Sequence, residues 1–267
     1  SGVWLMSSAK KMLLSAAGNA GGATDVSDVF STFLFTGTGA NKTITNGIDL
    51  DGEGGLVWIK TRSVGYNNVL TDTERGATQQ LSSNQTDGQQ AYSTGLTAFN
   101  SNGFSIGSNG QYNNNNSTMA SWTFRKAEKF FDVVTYTGNS VSGREVAHNL
   151  GSVPGMIIVK RTDATGYSWN VYHRSLANTE GIRLEATSAV NTSYQAYWNS
   201  TTPTSSVFTL GNKNQVNHTG GTYVAYLFAH NNNDGEFGPD ADQDIIKCGS
   251  YTGTNSGVAI NLGFEPQ

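Results

Sequence analysis

Two stretches hold nucleophilic or metal-ligating side chains at intervals that known chemistries use. Gly103-Phe104-Ser105-Ile106-Gly107 has the G-x-S-x-G spacing of a nucleophile elbow, in which a strained strand-to-helix turn exposes a serine. It is followed by Ser108-Asn109-Gly110-Gln111-Tyr112 and a run of asparagines, which do not read as the required helix, so Ser105 is expected to be an ordinary strand residue. The second stretch, Asn231 to Asp244, gathers Asp234, Glu236, Asp240, Asp242 and Asp244, hard oxygen ligands of the sort calcium takes. Asp240-Ala241-Asp242-Gln243-Asp244 begins like an EF-hand loop, but it lacks the glycine after the third acid and has Tyr251 where the bidentate glutamate belongs. Two readings stay open: a calcium site of another kind at Asp240, Asp242 and Asp244, or a solvated acidic loop. His148, His173, His218 and His230 show no metal-ligand spacing, and Glu74, Glu128, Glu180 and Glu185 show no pairing of the kind glycoside hydrolysis uses. No catalytic residue is assigned.

A third constellation could recognise rather than react. Tyr112, Tyr194, Tyr197 and Trp198 are set among Asn, Ser and Gln. Sugar rings lay their apolar faces on aromatics while polar side chains satisfy the hydroxyls, so this mixture suits contact with a glycan. It suits the packing of a β-sandwich equally.

Composition bounds the classes of function. Of 267 residues only 13% are charged, glycine numbers 32 and the net charge is -4. The 16 lysines and arginines form no basic cluster, which leaves no electrostatic footprint for nucleic acid. Cys248 is the single cysteine, so no intrachain disulfide can form. Membrane insertion is not expected, because no run approaches the roughly 20 apolar residues of a spanning helix. Lys10 to Gly18 imitates a secretory signal, but its apolar run is too short.

The elements that must position these residues come in two copies. Phe35-Thr36-Gly37 leads to Val57-Trp58-Ile59-Lys60, and Tyr136-Thr137-Gly138 leads over a similar distance to Ile157-Ile158-Val159-Lys160. Phe104-Ser105-Ile106-Gly107 precedes Trp122-Thr123-Phe124 as Phe208-Thr209-Leu210-Gly211 precedes Tyr226-Leu227-Phe228. The period, roughly 100 to 115 residues, is that of a small domain rather than a solenoid repeat. Short β-branched and aromatic runs bounded by Gly and Asn turns make the fold all-β: two tandem antiparallel β-sandwich modules of jelly-roll or concanavalin-like type. The expected organisation is an N-terminal helical arm at 1–24, modules at 25–135 and 136–250, and the start of a third at 251–267. The arm rests on Ser7 to Ala17, where Met6, Ala9, Leu13 and Ala16 share one helical face. Trp58 should match Ile158, Phe104 should match Phe208, and Trp122 should match Tyr226. Asn231 to Ala241 reads as an inserted surface loop. Tyr251 to Gln267 repeats the module opening, so the natural chain is expected to continue past it.

Taken together, Lys11-Met12-Leu13-Leu14-Ser15-Ala16-Ala17-Gly18, Asp28 to Gly37, Gly54-Gly55-Leu56-Val57-Trp58-Ile59-Lys60, Trp122 to Ala127, His148-Asn149-Leu150-Gly151 and Pro154 to Arg161 resemble tail-fibre-like virion proteins of tailed phages, particularly those of marine bacteria and cyanobacteria. The resemblance implies a virion-located structural protein in a tail fibre or fibre base. It implies a homo-oligomer, a trimer in most such proteins, attached to other tail proteins through the N-terminal arm and contacting host-surface glycan distally. A capsid-surface decoration protein and a glycan-cleaving tailspike are the alternatives. The matching motifs are scaffold motifs and carry no site residue over.

Overall fold

A computed structural model describes residues 24–266; the helix expected at Ser7 to Ala17 lies outside the described residues. In chain order the strands are β1 (Phe30–Thr36), β2 (Lys42–Thr45), β3 (Gly55–Thr61), β4 (Asn68–Asp72), β5 (Gln79–Ser82), β6 (Gln90–Ala91), β7 (Leu96–Asn100) and β8 (Gly103–Ile106). They continue with β9 (Thr118–Arg125), β10 (Phe131–Thr137), β11 (Arg144–Ala147), β12 (Met156–Arg161), β13 (Asn170–His173), β14 (Ile182–Arg183), β15 (Val207–Leu210) and β16 (Thr222–Phe228). One-turn helices α1 (Val26–Val29), α2 (Gly110–Asn113), α3 (Gln195–Trp198) and α4 (Asn214–Asn217) punctuate them. The protein is thus all-β, with its named strands paired antiparallel in several sheets.

The two halves repeat one strand order. A large sheet ordered β1-β9-β3-β4-β5-β6 in the first half corresponds to β10-β16-β12-β13-β14 in the second, and a small sheet β2-β8-β7 corresponds to β11-β15. Register repeats as well: Trp58 pairs with Trp122 where Ile158 pairs with Tyr226, and Ile44 pairs with Phe104 where Val146 pairs with Phe208. The residue matches read from the sequence therefore occupy corresponding strand positions.

Alternation along each strand explains where the cores lie. On β3, Val57 and Ile59 join Ile44, Phe104 and Ile106 in a core between the large and small sheets of the first half. On β12, Ile157 and Val159 join Val146 and Phe208 in the equivalent core of the second. The opposite faces meet in a third core, where Leu56, Trp58 and Phe124 of one large sheet pack with Ile158, Tyr226 and Phe228 of the other. The central strands β3 and β12 are covered on both faces, which is why they read as continuous apolar runs rather than alternating ones.

One expectation about the C-terminal part is corrected. Asn231 to Ala241 is only partly a surface loop: Phe237 is 3% exposed and stacks edge-on against Phe130 at 6.3 Å, and Phe237 bridges Thr24. Buried Asn231 holds the loop's base, accepting from Ile245 N at 3.0 Å and Ile246 N at 3.2 Å and donating to Lys129 O at 2.9 Å. Residues 251–266 repeat the module opening in sequence but form no strand, and their side chains are mostly exposed. An opening strand is held by its ladder partner; β10 has β16 and β11 has β15, and no corresponding strand among the described residues faces 251–266.

Candidate functional site

The aromatic residues singled out for glycan contact are core residues. Tyr112 is 1% exposed and its hydroxyl lies 2.9 Å from Thr71 Oγ1. Tyr194 and Tyr197 stack at 3.9 Å between ring centroids, and Trp198 meets Tyr172 edge-on at 6.0 Å, all within the second-half core. The physical reason is the one-turn helix α3, which turns these rings inward while its polar neighbours Asn191, Thr192 and Ser193 stay outside. The expectation of an exposed aromatic surface at these four positions is therefore overturned. Asp240 and Asp242 are exposed, whereas Asp244 accepts from Asn233 N at 2.9 Å and Gly235 N at 3.0 Å. The three carboxylates do not converge, and among the described residues no group of three or more His, Cys, Asp or Glu is placed to hold a metal ion. Ser105 lies within β8, its hydroxyl 3.3 Å from Thr43 Oγ1 and accepting from Asn100 Nδ2 at 3.1 Å, so its partners are neither bases nor part of a strand-to-helix turn.

What the fold does assemble is an open, mainly polar cleft of about 440 Å³ lined by Tyr167, Asn212, Lys213, Asn214 and Gln215. One wall is the connection between β12 and β13. Gly166 has φ +86°, a left-handed conformation that admits the tight turn before Tyr167. Arg161 makes a two-pronged bond to Asp163, Nε to Oδ1 at 2.8 Å and Nη2 to Oδ2 at 3.0 Å. That fork fixes the guanidinium plane over the Tyr167 ring, with Cζ 4.4 Å from the ring centroid. The same hydrogen bond raises the Arg161 pKa and lowers that of Asp163. One face of Tyr167 is thereby covered, and the rest of the side chain borders the cleft.

The second wall is the turn from β15 into α4. Gly211 packs so closely on Ala196 that a Cβ there would sit 2.1 Å from the Ala196 carbonyl oxygen. Asn217, buried in α4, donates through Nδ2 to Gly211 O at 2.7 Å and Val141 O at 3.0 Å, while its Oδ1 accepts from Asn139 N at 2.8 Å. The Tyr223 hydroxyl donates to Asn214 O at 2.6 Å. These bonds hold the backbone still, so the side chains of Asn212, Lys213 and Gln215 project from a fixed base and make no hydrogen bond within the described residues.

A family described as a domain of unknown function (DUF7483) matches residues 25–267. The chain belongs to this family. No curated protein and no solved structure matches the chain. The match runs across both halves, so the DUF7483 unit contains the internal duplication rather than being one copy of it.

Chemically the cleft of this DUF7483 protein offers one aromatic surface, three carboxamides and one ammonium. Those groups bind and orient a polar ligand; the one nearby imidazole, His218, is engaged through Nδ1 with Asn214 Oδ1 at 3.2 Å. Sequence reasoning missed the site because its residues are unremarkable singly. The available signal was the duplication itself, which sets Gly65-Tyr66 beside Gly166-Tyr167 and Gly107 to Gln111 beside Gly211 to Gln215.

Proposed function

We propose that this DUF7483 protein is a structural and adhesive component of a phage virion, in a tail fibre or fibre base, and that the Tyr167 cleft is a surface through which it contacts host glycan. In this reading residues 25–135 and 136–250 are two β-sandwich modules, supported by the repeated strand order and register. The assembly is a homotrimer joined to tail proteins through the N-terminal arm, as the sequence resemblance implies. The observation that carries adhesion is the cleft: a tyrosine held by Arg161 beside the unengaged amides of Asn212 and Gln215 suits a sugar ring with flanking hydroxyls. A binding role without catalysis is further supported by the mid-strand setting of Ser105. It is supported too by Glu74, Glu180 and Glu185, which respectively accept from Lys126 Nζ, Ala177 N and Trp169 N.

Electron microscopy of virions labelled with antibody to this chain tests location. Label at the tail is the expected result; label over the capsid establishes the decoration reading, and unlabelled particles remove the virion assignment. Release of reducing ends from host polysaccharide by the purified chain would establish the tailspike reading.

A further inference from the structure

The first half contains the same site with its parts used up. Ser108, Asn109, Gly110 and Gln111 stand at the positions of Asn212, Lys213, Asn214 and Gln215, and Tyr66 stands at that of Tyr167. Asn109 turns its side chain inward, accepting from Gln111 N at 3.0 Å as the cap of α2, whereas Lys213, at the same place before α4, makes no such bond. Gln111 donates to Gln80 Oε1 at 3.5 Å, whereas Gln215 has no partner among the described residues. Most decisive is the residue facing the tyrosine. The Tyr66 hydroxyl oxygen lies 2.8 Å from where a Cβ on Gly110 would be, so the end of the ring rests on the bare Gly110 backbone. Asn214 carries a side chain at that place, and Tyr167 is instead drawn back under Arg161, leaving the cleft between them.

Resting on the adhesive reading of the Tyr167 cleft, we infer that each chain offers one such site, that its first-half counterpart is closed by Tyr66 on Gly110, and that Lys213 makes the open site select saccharides bearing a negatively charged substituent. The charge argument is local. Arg161 and Asp163 neutralise each other, so Lys213 is the one uncompensated charge among the residues that form and support the cleft. A carboxylate on a sugar bound over Tyr167 would meet an ammonium; a neutral sugar would meet only amides.

Titration of the full chain with a tetramer of galacturonic acid and with a neutral galactose tetramer, followed by calorimetry, tests this. The acidic tetramer is expected to bind with a stoichiometry of one per chain and more tightly than the neutral one. Tyr167→Ala should weaken it about tenfold or more, and Lys213→Gln about fivefold, bringing it to the neutral value and removing its salt dependence. Tyr66→Ala should change neither affinity nor stoichiometry. Lys213 and Tyr66 are exposed, so circular dichroism of these variants should match the parent. Equal affinity for the two tetramers, no effect of Lys213→Gln, two sites per chain, loss of binding in Tyr66→Ala, or no binding of the acidic tetramer at millimolar concentration would each overturn the inference. The virion assignment is read by microscopy and stands or falls separately.

Discussion

The Tyr226 hydroxyl, from the second half of the chain, donates to Asp72 Oδ2 of the first half at 2.7 Å, and both groups are buried. The same oxygen receives Arg75 Nε at 2.6 Å, and Asp72 Oδ1 accepts from Arg75 N at 2.9 Å. Arg75 in turn reaches Leu70 O at 3.2 Å and Gln89 Oε1 at 3.3 Å. Nearby, Trp169 Nε1 donates to Ser82 O at 3.1 Å and Gln85 O at 3.0 Å, again from one half to the other. A buried ion pair contributes little net stability, but one that loses a partner is costly, so this network fixes the registry of the two halves.

Tyr226→Phe should therefore cost about 1–3 kcal/mol, and Arg75→Met about 3–5 kcal/mol because it leaves the Asp72 carboxylate buried and unpaired. Because the central core is shared, the parent should unfold in one transition in urea, with both halves lost together. Two separated transitions in the parent would show that the halves are thermodynamically independent, contrary to this expectation.

A second relationship is repeated in each half. Asn113 donates through Nδ2 to Gly107 O at 2.9 Å and to Ala40 O, and accepts from Thr38 N at 2.7 Å, as Asn217 does with Gly211, Val141 and Asn139. Both are buried. Asn113→Ala and Asn217→Ala should each cost about 1–3 kcal/mol, since each removes three hydrogen bonds and leaves the buried carbonyl of Gly107 or Gly211 without its partner. Asn113→Asp should be worse than Asn113→Ala, because it sets a carboxylate oxygen against two carbonyl oxygens. Equilibrium denaturation of the three variants gives the ranking, and a milder aspartate would refute the donor assignment.

These asparagines show where sequence reasoning stops. Strands such as β3 and β12 were legible, because Leu56 to Ile59 and Met156 to Val159 are dense in β-branched and aromatic residues between turn signals. The pairing of Trp58 with Ile158 as corresponding positions was legible too, through the duplication. That the two large sheets lie against each other was not, since a run buried on both faces is the same string whatever covers it. Asn113 and Asn217 sit in polar surroundings that read as loop, and nothing local distinguishes a clamping amide from a solvated one. The rings of Tyr194, Tyr197 and Trp198 were misplaced for the converse reason: polar neighbours in sequence do not say which way a single helical turn faces.

The inserted loop offers a test of how the C-terminal part is held. Phe237 is its sole buried large apolar side chain, packed on Phe130 beside Val29. Phe237→Ala should cost about 3–5 kcal/mol if the loop stays docked, or less if it detaches. Limited proteolysis separates the two, because a detached loop becomes cleavable between Asn232 and Gln243 while the sheets remain resistant. A variant as resistant and as stable as the parent would mean that Phe237 does not anchor the loop.

The last prediction concerns Lys160, which lies buried on the face of β12 turned toward the first half. Its ammonium donates to Arg161 O at 2.8 Å and Thr86 O at 3.4 Å, with Glu185 and Asp87 near and Arg161 opposing. Burial dominates and pushes its pKa down to about 8. In the unfolded chain a lysine holds its proton to about 10.4, so between these values the unfolded state binds more protons than the folded one. Stability must then rise with pH across that window, by about 1 kcal/mol between pH 8 and pH 9 from this group. Two other effects have the opposite sign and begin higher. The Cys248 thiol is pushed up to about 11 by burial, which lowers stability as the unfolded thiol ionises from about pH 8.5 upward. Tyr112, pushed up to about 12, and Tyr226, raised by burial, do the same above about pH 10. Subtracting the unfolding free energy of Lys160→Met from that of the parent cancels the thiol and phenol contributions and leaves the lysine. The difference should move in the parent's favour between pH 8 and pH 9 and stay level between pH 6 and pH 7. A difference that does not change with pH would show that Lys160 keeps an ordinary pKa and that the space between the two halves is open to water.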